Sequence, residues 1–513
     1  MKNLMITKNI ILFLLIMGVL AAGIAHGQQK FNAGALDKQY LEEAAKADKR
    51  FAQKSFNTSI GQLDFTNDFI NGYPTKETTD KLFDEIDFQR ACQAYLWSIP
   101  YVSMSQWYWA HREQLGAVNG QAVFVTSYMD KIGGLTYNTT TPYVLPFINL
   151  KDGPWVVDVP PAEIRGAFSD AWQVGANKVY ANQKFLLVGP EHKVPKDANN
   201  EGYTAIKMNT NLVLPGIRLM ARDDKARMDF LENLKIYPYS EKDNPKPRGY
   251  VKPEGKLWQA WQPRGMDYWK RLSEIINNEP VHERDRFFLA MLKPLGIEKG
   301  KPFNPTDHQK KILAEAALVG EAMAKANDFD KKRMESAFYV EGSAWEFATV
   351  ATPDQRYEYH DALDERAAWF YEAVTNDPRM HGQEFDNNGQ IYFTAYKDGD
   401  GDWLDGRNNY TLHVPANPPA KKFWSITLYD VATRCIIVNN IQRADLSSLM
   451  DLHKNSDGSQ DLYFGPEKPD GVNANNWIET LPGKAWFPYF RFYSPMKPLT
   501  DKTWILPNIE KVK

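Results

Sequence analysis

Four carboxylates, Asp398, Asp400, Asp402 and Asp405, fall within one short Asp/Gly stretch of the chain. Hard cations such as calcium draw oxygen ligands from loops of this kind, but an EF-hand would need Gly and Glu where Trp403 and Asn409 stand. The stretch reads first as a solvated hairpin turn and second as a structural calcium site at Asp398, Asp400 and Asp402. No cofactor is required. His360 and Asp364 are four residues apart in a segment with helical spacing, which would place an imidazole beside an orienting carboxylate, a general-base arrangement. The same spacing also makes an ordinary surface pair, and that reading is favoured. His381 and Glu384 could supply two metal ligands or an acid and a base, yet no second histidine stands at ligand spacing.

A second group of candidates could hold a ligand without reacting with it. Tyr137, Asn138 and Tyr143 lie in one set of strands, and Tyr429, Arg443, Trp477 and Arg491 in another. Arg, Tyr, Trp and Asn supply anion pairing, hydrogen bonding and stacking, the chemistry of a small-molecule pocket. Each also has a structural reading: Asn138 shapes a turn, Trp477 fills a core, and the arginines tie loops to carbonyls. A GxSxG elbow, a GxxxxGK[ST] loop, a GxGxxG turn and a CxxC pair are all missing from the sequence, which removes an α/β-hydrolase, the familiar nucleotide cradles and a zinc ribbon.

The elements that would position these residues follow from periodicity. The chain has 513 residues and opens with Lys2, Lys8 and an apolar run from Ile10 to Ala25 that ends in small residues. This is a secretory signal over residues 1–27; about 16 apolar residues are too short to span a bilayer comfortably, so no membrane span is expected after cleavage. The protein is expected outside the cytoplasm, in a bacterial periplasm or beyond. A net charge of −3 with scattered Lys and Arg lacks the basic footprint of a nucleic-acid partner. Cys92 and Cys435 read as two separate buried thiols.

Residues 28–121 form a leading helical region, with a helix from Leu36 to Ala52 and another from Thr75 that Pro100 ends or kinks. Residues 122–238 alternate with a period of two, in short β-branched and aromatic runs broken by Gly, Pro and Asn, a β-sandwich pattern. Residues 239–377 are mostly helical. Capping boxes at Thr306–Gln309 and Thr352–Gln355 open two of these helices, the second running to about Asn376. From residue 378 to 513 the two-residue period returns. In FWSITLYD it sets Trp424, Ile426 and Leu428 on one face and Phe423, Ser425, Thr427 and Tyr429 on the other. The chain therefore reads as mainly β with a helical insert.

Several blocks carry a family resemblance: LTYNTTTPYVLPFINLKDGPWVVDVP in the first half, then DGDGDWLDGRNNYTLHVP, PPAKKFWSITLYD, NNIQR, SDGSQDLYFGP, NNW and RFYSP. Their order and spacing resemble the DUF1254/DUF1214 family of bacterial proteins. The resemblance implies an N-terminal immunoglobulin-like β-sandwich, a central helical region and a C-terminal jelly roll, and it brings no agreed activity. Thr140 stands where the family motif usually has Asp, so any role of that carboxylate does not carry over.

Three functions fit. The first is an exported protein that binds a small organic or saccharide-like ligand between its sandwich domains. The second is a hydrolase with a His/carboxylate base, and the third an envelope subunit, homo-oligomeric through covered edge strands.

Overall fold

The computed structural model describes residues 32–382 and 389–512, so the signal segment and Glu384 lie outside the described residues. The described chain divides into two compact units, one ending at Ile86 and the other running from Asp87 to Lys513. It is roughly 31% helix and 25% strand, in several sheets with no closed barrel. Among the described residues no helix is long and apolar enough to cross a membrane.

In the first unit Asn32 caps the helix Ala33–Ala47 through its side chain. The antiparallel hairpin Ser55–Thr58 with Gly61–Asp64 follows, inside a region whose composition suggests helix alone. The helix Lys76–Trp109 begins in this unit and continues into the second. It runs through Pro100 without interruption and ends in a π-helical turn at Ala110–Gln114.

Two sheets of the second unit matter most for function. The seven-stranded sheet orders Tyr250–Val251, Ala122–Val125, Tyr143–Pro146, Leu212–Leu219, Ile164–Ser169 and Gly175–Lys178, with Ile148–Asn149 also on Leu212–Leu219. The five-stranded sheet orders Glu346–Phe347, Gln390–Thr394, Trp486–Pro495, Ala420–Asp430 and Asp445–Ser447. Ala420–Asp430, which contains FWSITLYD, is an interior strand, hydrogen-bonded to Trp486–Pro495 on one side and Asp445–Ser447 on the other. Each sheet is accompanied by a separate four-stranded sheet.

One hydrophobic cluster joins these elements, taking in residues from Ala91 on the long helix to Ile509 near the C-terminus. The stripe anticipated around Cys92 packs into it, and both cysteines are buried and outside any disulfide. The box at Thr306 behaves as expected: Thr306 and Gln309 bond each other's backbone and open the helix Asp307–Phe329. The second box does not. Thr352 Oγ1 accepts from the Arg356 amide and donates to the Arg356 carbonyl, closing a local loop, and Gln355 takes φ +60°. The helix starts only at Leu363. Hydroxyl residues compete for nearby backbone in this way, and here a turn wins over a helix.

Candidate functional site

The late start of the Leu363–Glu372 helix dissolves the general-base pair. His360 sits exposed in the preceding loop, its ring 5.0 Å from that of Tyr357. Asp364 accepts from Asn327 and lies 3.8 Å from Arg333. His381 is turned into the structure, where its Nε2–H donates to Asn376 Oδ1 at 2.7 Å, and burial lowers its pKa to about 4. Asp398 is buried and uses Oδ1 to accept the amides of Asp400 and Asp402, the geometry of a self-closed turn. Among the described residues no group of three or more His, Cys, Asp or Glu side chains is placed to hold a metal.

The ligand-type candidates converge far better. A cavity of about 910 Å³, counting its open mouth, lies between the seven-stranded and five-stranded sheets of the second unit. Each wall contributes a cross-strand row centred on arginine. On the first wall Tyr143, Arg218 and Arg165 are register neighbours on three adjacent strands. On the second wall the row is Tyr392, Arg491 and Ser425. The rows mirror each other in detail, because the Arg218 guanidinium lies 5.1 Å from the Tyr143 ring centre and the Arg491 guanidinium 5.1 Å from that of Tyr392. Trp107, Trp369 and Leu214 add apolar lining, and the segment Ala373–Met380 closes one side with Asp377 and Arg379 bound to each other.

The Thr136–Tyr143 loop forms part of the lining and is held from three directions. From below, the Tyr429 hydroxyl donates to the carbonyls of Thr136 and Tyr137. Arg491 Nη2 donates to the same Thr136 carbonyl at 2.9 Å, while Nη1 reaches Thr427 Oγ1. Lys131 is buried and donates to the carbonyls of Thr139 and Thr141 at 2.8 and 2.9 Å. Burial brings its pKa down to about 7 despite the nearby Asp445 carboxylate. Asn138 donates to Tyr493 OH and accepts from the Thr140 amide. Thr136 takes φ +40°, a strained conformation for a β-branched residue that these bonds enforce. Thr140 Oγ1 faces Asp445 Oδ2 at 3.4 Å, so the carboxylate at this point of the structure comes from the other sheet.

Tyr137, Tyr143 and Arg491 thus line the cavity, with Asn138 and Tyr429 directly behind its loop. Arg443 and Trp477 do not line it. They meet elsewhere, where Arg443 donates to the Trp477 and Ala474 carbonyls and Trp477 Nε1 to Gly465 O. The residues that sequence reasoning missed are Arg165, Arg218 and Arg379. The signal for the first two was a charged residue inside the apolar strands IRGAFS and LVLPGIRL.

Beneath the cavity floor, Tyr489 donates to the buried Glu372 carboxylate. Glu372 and Asp328 share Tyr396 OH at 3.0 and 3.3 Å, and Lys331 contacts Asp328 and Glu346. Burial raises the pKa of all three acids.

Residues 123–238 match the family model described as protein of unknown function DUF1254, and residues 389–497 match that of DUF1214. No curated protein matches the chain. The crystal structure of the VPA0106 protein from Vibrio parahaemolyticus is similar over 83% of this chain and 100% of its own, with 17% identity and a TM-score of 0.52, a likeness of fold. An uncharacterised protein from Burkholderia cenocepacia aligns over 85% of this chain and 97% of its own, at 12% identity and a TM-score of 0.38. The Arg218 row lies in the first matched segment and the Arg491 row in the second, so the cavity needs both. The chain is a DUF1254/DUF1214 domain-containing protein.

Proposed function

We propose that this is an exported binding protein whose inter-sheet cavity holds a small organic anion. One observation carries the reading: Arg165, Arg218 and Arg491 line an open-mouthed cavity in which the one carboxylate among the described lining residues, Asp377, is already paired with Arg379. Guanidiniums gathered in one cavity without an acid partner, Arg491 buried and Arg165 and Arg218 half-buried, carry repulsion and desolvation that an anionic ligand offsets. Export follows from the apolar leader, and the paired-sheet walls fit an immunoglobulin-like sandwich facing a jelly roll. The aromatic lining supplies faces for an organic body.

The test is a melting-temperature panel of small organic acids beside their neutral amides and a set of sugars. An acid present at about 100 times its Kd stabilises the protein by about 2.7 kcal/mol, and its amide does not. The reading fails if acids and amides behave alike, or if sugars alone raise the melting temperature.

A further inference from the structure

The first wall of the cavity carries its two arginines in direct opposition. Arg218 and Arg165 are register partners across the antiparallel ladder of Leu212–Leu219 and Ile164–Ser169, and both line the cavity. Opposed residues on one face of a strand pair stand closer than any other cross-strand neighbours, and like charges there work against the sheet. Arg165 Nη2 is buried with no hydrogen-bond partner. Facing them, Arg491 is 2% exposed and has donated both Nη groups to protein oxygens, while its Nε has no partner. The site therefore holds three cations on two walls, and unspent donors on each.

A single negative charge set between Arg165 and Arg218 would relieve their repulsion but leave Arg491 unanswered on the facing wall. A charge set at Arg491 would leave the opposed pair as it is. Only a ligand with two acid groups satisfies both walls at once. The space between them is bounded by the rings of Trp107, Tyr143, Tyr392 and Trp369, which suit a flat apolar body.

We infer that the ligand is an organic dianion of the aromatic dicarboxylate class, with one acid group received by Arg165 and Arg218 and the other by Arg491. This rests on the organic-anion reading above and narrows it from charge to valence. No covalent step is involved.

The experiment is calorimetric titration of the full chain with benzoate and with the three phthalate isomers as probes. At least one dicarboxylate is expected to bind about 30-fold more tightly than benzoate, the value of one further charge-assisted contact. In Arg491→Gln the ratio falls toward one. Arg218→Met, which leaves the loop bonds alone, does the same from the other wall. Should benzoate and every dicarboxylate bind with equal strength, the dianion is refuted while the organic-anion reading stands. Should neither class bind, both are refuted. A preference that survives intact in both variants places the second acid group outside the cavity and also overturns the inference.

Discussion

Replacing Arg165 by Met should make the ligand-free protein more stable, not less. Opposed Cβ atoms in an antiparallel pair are about 5 Å apart, and two guanidiniums about 6 Å apart at an effective dielectric of about 20 repel by about 3 kcal/mol. Arg165 and Arg218 are both partly exposed at the cavity mouth, so solvent and salt remove most of this and about 1 kcal/mol remains. Met keeps the apolar stem and discards a buried Nη2 that has no partner. For a unit of this size the gain corresponds to about 1–2 °C in melting temperature. The assay is equilibrium denaturation of the wild type, Arg165→Met, Arg218→Met and the double variant, at low and high salt. Each single variant gains, the double gains little beyond either single, and the differences shrink at high salt. Loss of about 1 kcal/mol in Arg165→Met at low salt would refute the reasoning, and so would strictly additive gains, because independent sites do not share one repulsion.

Three further outcomes follow. Glu279 caps the helix Met266–Asn278 and accepts the amides of Asn211 and Leu212, and burial raises its pKa from 4.5 to about 7. A raised carboxyl pKa means stability that is full below about pH 4.5 and lost as pH rises through about 7, worth about 3 kcal/mol in all. Glu279→Gln should flatten that part of the pH–stability curve, and a variant curve parallel to the wild type would show that another group is responsible. Lys131→Met strips the donors from Thr139 and Thr141 and removes the stronger of the two cations beside buried Asp445, leaving Arg443, so it should cost about 3 kcal/mol in denaturant unfolding. A cost under about 1 kcal/mol would show that the loop does not depend on it. A Cβ on Gly133 would sit 2.3 Å from the Trp258 carbonyl oxygen, so Gly133→Ala should lose about 1–3 kcal/mol by forcing backbone apart, read by the same assay.

The sequence showed what depended on short-range pattern. The Thr306 box, the Cys92 stripe and the alternation in FWSITLYD are each written within a few residues, and each appears in the structure. Alternation left open what the second face of that strand meets: Ser425, Thr427 and Tyr429 are as buried as Trp424 and Ile426, and the Thr136–Tyr143 loop lies against Tyr429. The Thr352 box failed because its hydroxyl found partners in a turn first. Half of the cavity was legible through Tyr137, Tyr143 and Arg491, which stand out as polar residues in aromatic strands. Arg165 and Arg218 looked like isolated charges until register set them side by side, and register is a property of two strands more than 40 residues apart, not of either alone.

The hydrophobic cluster that runs from Ala91 to Ile509 also has a consequence for the order of events in folding. Tyr339 donates to the carbonyls of Leu499 and Trp504, and Trp345 Nε1 to that of Pro507, so this stretch is completed by residues more than 150 positions further on. The five-stranded sheet cannot close until Trp486–Pro495 has been made, whereas the seven-stranded sheet finds all its partners within residues 122–251. A chain that stops short of Pro507 leaves the Trp345 indole N–H of the interior unanswered, and one that stops short of Leu499 leaves the Tyr339 phenol unanswered as well.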